Sequence, residues 1–170
     1  MPTNWYMYLV AGLIPLAVGA LWYGNLLFGK KWMSVNGFRE EDLQGANMGL
    51  IFGLTYLFSV MIAFTLGGMV IHQTAVFQMM MPDVMEAGSD VQSQFNELMA
   101  VYGGNFRSFS HGVLHGVIAV IFFVLPLIAI NSLFERRGWT YIFIHAGYWL
   151  VCLGLMGGLL CATLEYAPLS

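Results

Sequence analysis

The chain has 170 residues, 59% apolar and only 9% charged, with a mean hydropathy of +0.74. Soluble domains run near half apolar and about a quarter charged, and six basic plus nine acidic side chains cannot cover a water-exposed surface of this size. The composition describes an integral membrane protein. It excludes a nucleic-acid-binding module, which needs a basic face, a disordered chain, and any large soluble catalytic domain; the net charge of −3 specifies no partner.

Four stretches, 6–28, 47–71, 112–134 and 140–164, contain no Asp, Glu, Lys or Arg. Each matches the roughly 20 apolar residues that a helix needs to cross a bilayer core. Trp5, Tyr6 and Tyr8 open the first and Trp32 follows it, aromatics of the kind that settle at membrane interfaces. No basic start precedes this span, which therefore reads as retained rather than as a cleaved leader. Lys30, Lys31 and Arg39 lie between spans one and two, Arg136 and Arg137 between three and four, and only Arg107 on the opposite side. That bias places the two basic loops in the cytoplasm, and both termini and the segment 72–110 outside.

The apolar pattern of span two runs on to Met81 and stops at Pro82, which predicts a helix projecting beyond the membrane and breaking there. Ser89 or Asp90 then caps a short helix with Val91, Phe95, Leu98, Met99 and Tyr102 on one face, ended by Gly103 and Gly104. Cys152 and Cys161, nine residues apart in span four, face opposite sides of a helix and read as two buried free thiols. The expected fold is all-α: a single integral membrane domain over 1–170, built as a four-helix transmembrane bundle with an outer helical segment.

Helices in lipid associate through close backbone contact at small residues. Gly45, Gly49 and Gly53 form a ridge on helix two, Gly112 and Gly116 on helix three, and Gly154 and Gly158 on helix four. These ridges serve either internal packing or an interface with another subunit. Spans one and three also end alike, Asn25-Leu26-Leu27-Phe28 before Lys30 and Lys31, and Asn131-Ser132-Leu133-Phe134 before Arg136 and Arg137. The likeness fits two duplicated hairpins, or the ordinary recurrence of basic residues at a cytoplasmic boundary.

Several runs resemble a known family: Gly19-Ala20-Leu21-Trp22-Tyr23-Gly24, Leu27 to Met33, Glu40-Glu41-Asp42, Gly45-Ala46-Asn47-Met48, the His111-Gly112 and His115-Gly116 pairs, Leu133 to Arg137, and Gly147-Tyr148-Trp149. Together, in this order, they are similar to the bacterial domain of unknown function 1761 family. The resemblance covers nearly the whole chain. It implies a small multi-span protein of the bacterial cytoplasmic (inner) membrane and brings no activity or catalytic residues.

Histidine supplies the one candidate ligand set. His111 and His115 are four apart on one helix face, and His72 ends span two at the same outer side. Three converging imidazoles bind zinc or copper, or clasp a haem; the alternative is an interfacial polar group satisfied by its neighbours. Met79, Met80, Met81 and Met85 nearby suit Cu(I) and Asp83 and Glu86 harder ions, though a methionine run also serves plain apolar packing. At the cytoplasmic side, His145 with Asn25 and Asn131 forms a polar cluster. Beside the basic residues Lys30, Lys31, Arg136 and Arg137, it reads as interhelical hydrogen bonding or as a pocket for a lipid headgroup or small anion.

Several enzyme classes have no motif here. Cys-x-x-Cys, Gly-x-Ser-x-Gly, a phosphate-binding glycine loop and the His-Glu-x-x-His zinc-protease signature are all missing. No ionisable carboxylate or amine sits at mid-membrane for ion pumping. The sequence therefore favours a non-catalytic subunit of a homo-oligomer or larger membrane complex, surrounded by membrane lipids. The alternatives are an outer-face metal or haem protein using His72, His111 and His115, and a binder of lipid or a small molecule within the bundle.

Overall fold

The computed structural model describes residues 2–169, and every regular element among them is helical. Three helices are long and apolar enough to cross a membrane. The first is α4 (Met48–Val70), started by the Asn47 side chain, which accepts a hydrogen bond from the Leu50 amide. The second runs Phe109–Phe134, as α7 (Phe109–Ala119), a π-helical turn at Val120–Val124 and α8 (Leu125–Phe134). Pro126 explains that wide turn, since it has no N–H to donate to the preceding one. The third is α9 (Trp139–Thr163).

The first expected span is corrected by the structure. Its helical part, Met7–Trp22, is shorter than the other three and is split into α1 (Met7–Gly12) and α2 (Ile14–Trp22) by Pro15. At about 1.5 Å per residue it spans roughly 24 Å, against a bilayer core of about 30 Å. Residues 23–28 are turns, where Gly24 and Asn25 favour leaving the helix. The chain then enters α3 (Gly29–Asn36), which carries Lys30, Lys31 and Trp32 and is closed by Gly37 at φ +71°. So the two similar sequences around Asn25 and Asn131 adopt different conformations, a turn in one and the body of α8 in the other.

A second correction concerns the C-terminal end of the second expected span. It does not continue to Met81: α4 ends at Val70, Ile71 is extended and fully buried, and α5 (Gln73–Met79) starts anew. The Thr74 amide and hydroxyl both reach the Ile71 carbonyl, at 3.1 and 2.6 Å, and hold the turn locally. Farther on, α6 (Asp90–Tyr102) forms as expected, with the Ser89 hydroxyl accepting from the Gln92 amide and Phe95 buried.

α9 is the axis of the molecule. Over its most apolar stretch 56% is buried, against 17% for α4 and for the α7–α8 helix, because α1–α2, α4 and α7–α8 all pack on it. Trp22 donates to the Ile144 carbonyl and Tyr148 to the Pro15 carbonyl, tying α2 to α9. Gly12 faces Val60 and Gly67 faces Tyr8, so small residues bring α1 against α4. The dense core, including Tyr8, Leu66, Val70, Ile71, Met156, Leu160 and Cys161, lies toward the end that carries the chain termini. There Thr3 and Asn4 bond to Thr163 and Glu165, and Asn96 of α6 holds Leu169. At the opposite end Arg137 donates to the Val35 carbonyl and pairs with Glu135, joining the two basic loops.

Candidate metal centre

Three imidazoles meet at the terminus-bearing end. The Nε2 atoms of His72 and His115 are 3.1 Å apart, those of His111 and His72 3.3 Å, and those of His115 and His111 3.0 Å. The rings stand edge to face, with centroids 4.6–5.1 Å apart. His72 is exposed; His111 and His115 are half-buried.

Each contact has a local cause. The break at Ile71 ends α4 and turns the chain so that His72 stands just before α5 rather than extending α4. Gln73 fixes that turn: its amide nitrogen lies within 3.0–3.3 Å of the carbonyls of Tyr102, Gly103 and Asn105. On the other side, the Ser108 hydroxyl caps α7 by accepting from the His111 amide. His111 and His115 then fall on one face by helical spacing. Each precedes a glycine, and those glycines set the helix crossing. A Cβ on Gly112 would come to 2.1 Å from the Gly157 carbonyl oxygen, and one on Gly116 to 2.2 Å from that of Leu153. α7 thus lies backbone to backbone on α9, with its histidines just beside the contact.

The segment between α6 and α7 completes the frame. Phe106 holds φ +60°, a conformation unusual for a bulky residue, and its ring lies against both His72 and His111. The Cys161 thiol sits 3.5 Å from the Val70 carbonyl and 3.3 Å from the Phe106 carbonyl, so one α9 side chain reaches both segments that carry ligands. Arg107 donates from its guanidinium to the carbonyls of Cys161 and Leu164, closing the end of α9. It also faces the Tyr166 ring. Sequence reasoning gave none of Gln73, Phe106, Arg107 and Cys161 a place beside the histidines, and it read Cys161 only as a buried free thiol. Only Arg107 left a signal, as the one basic residue on the outer side.

The chemistry follows from imidazole itself. An Nε2 has one in-plane position, filled by a proton or by a lone pair. Three Nε2 atoms in mutual contact cannot all be hydrogen-bonded, because at least one pair must present like to like. A cation resolves the conflict by accepting all three lone pairs. Zinc–nitrogen bonds of about 2.0–2.1 Å in tetrahedral geometry space the ligand atoms roughly 3.3–3.4 Å apart. The observed triangle needs to open by only a few tenths of an ångström. A flat macrocycle does not fit between nitrogens this close, so the arrangement suits a single ion and not a haem. Met79, Met81 and Met85 point outward as exposed side chains, and Asp83 and Glu86 do not belong to the histidine group.

The other candidate residues lie at the opposite end. His145 Nδ1 pairs with the Tyr23 hydroxyl at 3.0 Å, and Tyr141 packs on its ring. Asn25 and Asn131 are exposed and are not brought to His145 by a hydrogen bond among the described residues. A cleft of about 290 Å³ there is lined by Tyr23, Asn25, Trp32 and Glu40 among others, so its charged group is a carboxylate. Lys30, Lys31, Arg136 and Arg137 do not line it. Of the glycines, Gly158 packs on the Phe109 ring and Gly154 makes ordinary contact with Val113. Gly45 lies in a turn before α4 with φ +83°, and Gly53 faces open space.

No curated protein and no solved structure matches the chain. A family match does exist, to the family described as "Protein of unknown function (DUF1761)", over residues 6–161. That stretch includes all three histidines, the glycine crossing of α7 on α9, and nearly all of α9. The chain belongs to this family of proteins of unknown function.

Proposed function

We propose that the protein is a four-span membrane protein that holds one borderline transition-metal ion, of the Zn2+ or Cu2+ class, on His72, His111 and His115. The carrying observation is the convergence of three Nε2 atoms within 3.0–3.3 Å, a donor set suited to such ions and poorly suited to Ca2+ or Mg2+. The four-span topology draws support from chain direction. Thr3 bonds to Glu165 at the histidine end, while α4 starts at the other end and finishes beside His72. Residues between must cross, and α1–α2 is the apolar helical pair that does so. The basic bias then assigns the histidine end to the outside of a bacterial cytoplasmic membrane.

The test is elemental analysis of detergent-purified protein after loading with Zn2+ and desalting. The parent is expected to retain a single ion per chain, and the H111A/H115A double variant to retain none while keeping its helical circular dichroism. Equal retention by both overturns the reading.

A second reading rests on a separate observation. In the first half of α4, Met48, Leu50, Ile51, Phe52 and Leu54 are exposed, Gly53 has no neighbour and Gly49 meets only its own Asn47 cap. This end of α4 is exposed all round, and Gly49 and Gly53, four residues apart, share the one side where a second copy or another membrane subunit packs closely. Native mass spectrometry from lipid nanodiscs is expected to give a mass above one chain; a single-chain mass throughout refutes it.

A further inference from the structure

We infer that the metal on the three histidines keeps one coordination position for a small exogenous anion, occupied otherwise by water or hydroxide; this rests on the metal reading above. The donors are three neutral imidazoles, so a divalent ion bound to them retains its full charge. Structural zinc sites reach four protein ligands and neutralise the ion with thiolates, whereas three protein ligands leave a position for water. No fourth His, Cys, Asp or Glu joins the group among the described residues. Both cysteines are committed elsewhere. Cys161 is buried against the carbonyls of Val70 and Phe106, and Cys152 is buried on α9. Arg107, the one basic residue at this end, is turned to the carbonyls of Cys161 and Leu164.

The site also reaches water. His72 and Phe106 are exposed, as are Gly104, Asn105 and Ser108 beside them. A water molecule on the ion would lose a proton to solvent more readily than in bulk, and the hydroxide so formed would lower the charge of the centre from 2+ to 1+. Any small anion that donates a lone pair competes for the same position. The ligand class is thus fixed by charge: anionic, compact, with a nitrogen or oxygen donor.

Co2+ and azide test this on the full-length protein in detergent. Co2+ bound to three imidazoles and one light donor gives visible d–d bands. Azide is expected to shift those bands and to raise the apparent Co2+ affinity in proportion to its concentration above its own Kd. X-ray absorption should count three imidazoles plus one light atom that changes with azide. If Co2+ binds but neither bands nor affinity respond to azide, the open position is refuted and the metal site stands. If Co2+ binds no better than to the H111A/H115A variant, the metal reading fails and this inference fails with it.

Discussion

Gly112 and Gly157 meet backbone to backbone. A Cβ on Gly112 would lie 2.1 Å from the Gly157 carbonyl oxygen, and one on Gly157 would lie 2.4 Å from that of Gly112. Neither oxygen can retreat, because each belongs to a helix. The contact fixes how far α7 stands from α9, and with it the position of His111, one residue away.

Gly112→Ala is therefore expected to destabilise the protein by about 1–3 kcal/mol, the usual range for overpacking, and to weaken Zn2+ retention. Gly68→Ala, made within α4 where there is open space, should be neutral or stabilising by up to about 1 kcal/mol. Thermal unfolding of both variants in one detergent makes the comparison. Equal melting temperatures would show that the α7–α9 crossing tolerates a methyl group.

Gln73 ties the His72 turn to three carbonyls of the 102–105 loop. Supporting residues of this kind typically contribute tenfold to a hundredfold in metal affinity. Gln73→Ala should lower Zn2+ affinity by about tenfold or more with little change in helical content. Competition titration against a chromophoric chelator measures it, and an unchanged affinity would remove Gln73 from the frame.

Arg107 is the exception to the charge bias, and its contacts explain why. Its guanidinium holds two carbonyls at the end of α9, a fork that a lysine ammonium does not reproduce. Arg107→Lys and Arg107→Ala should both lose stability, by about 2 kcal/mol for the alanine, without changing orientation. Reporter fusions at the C-terminus read the second point. Replacing Lys30, Lys31, Arg136 and Arg137 together should redistribute the reporter across the membrane, and an unaltered distribution would refute the assigned orientation.

Arg136 holds φ +56° where α8 ends, the position glycine favours. The Arg136 and Arg137 amides donate to the carbonyls of Leu133 and Ser132, so the turn is well defined. Arg136→Gly should stabilise by up to about 1 kcal/mol through relief of that strain. A lowered melting temperature would mean that the side chain has a role the backbone does not reveal.

Much of this fold was legible in the chain. Runs without charge located α4, α7–α8 and α9 to within a few residues, and Ser89 marked the start of α6. Errors arose where short breaks competed with hydropathy. Pro15 and Gly24 shortened the first span, and the turn at Ile71 stopped α4 well before Pro82. Hydropathy is blind to such breaks, since Ile71 is as apolar in an extended conformation as in a helix. Of the candidate residues, the histidine trio came together, while among the described residues His145 pairs with Tyr23 and no hydrogen bond joins it to Asn25 or Asn131.

The sequence by itself determined that the protein is helical and membrane-like, where its long apolar helices lie, and which loops share the basic charge. These are sums over neighbouring residues, and local chemistry carries them. Only the tertiary structure decided that α9 is the axis, that Arg107 and Cys161 brace the histidine end, and that three nitrogens from residues 72, 111 and 115 lie within 3.3 Å. That convergence depends on a two-residue break after α4 and on a glycine contact between two other helices. Both act across tens of residues of chain, a separation over which no spacing rule fixes a distance.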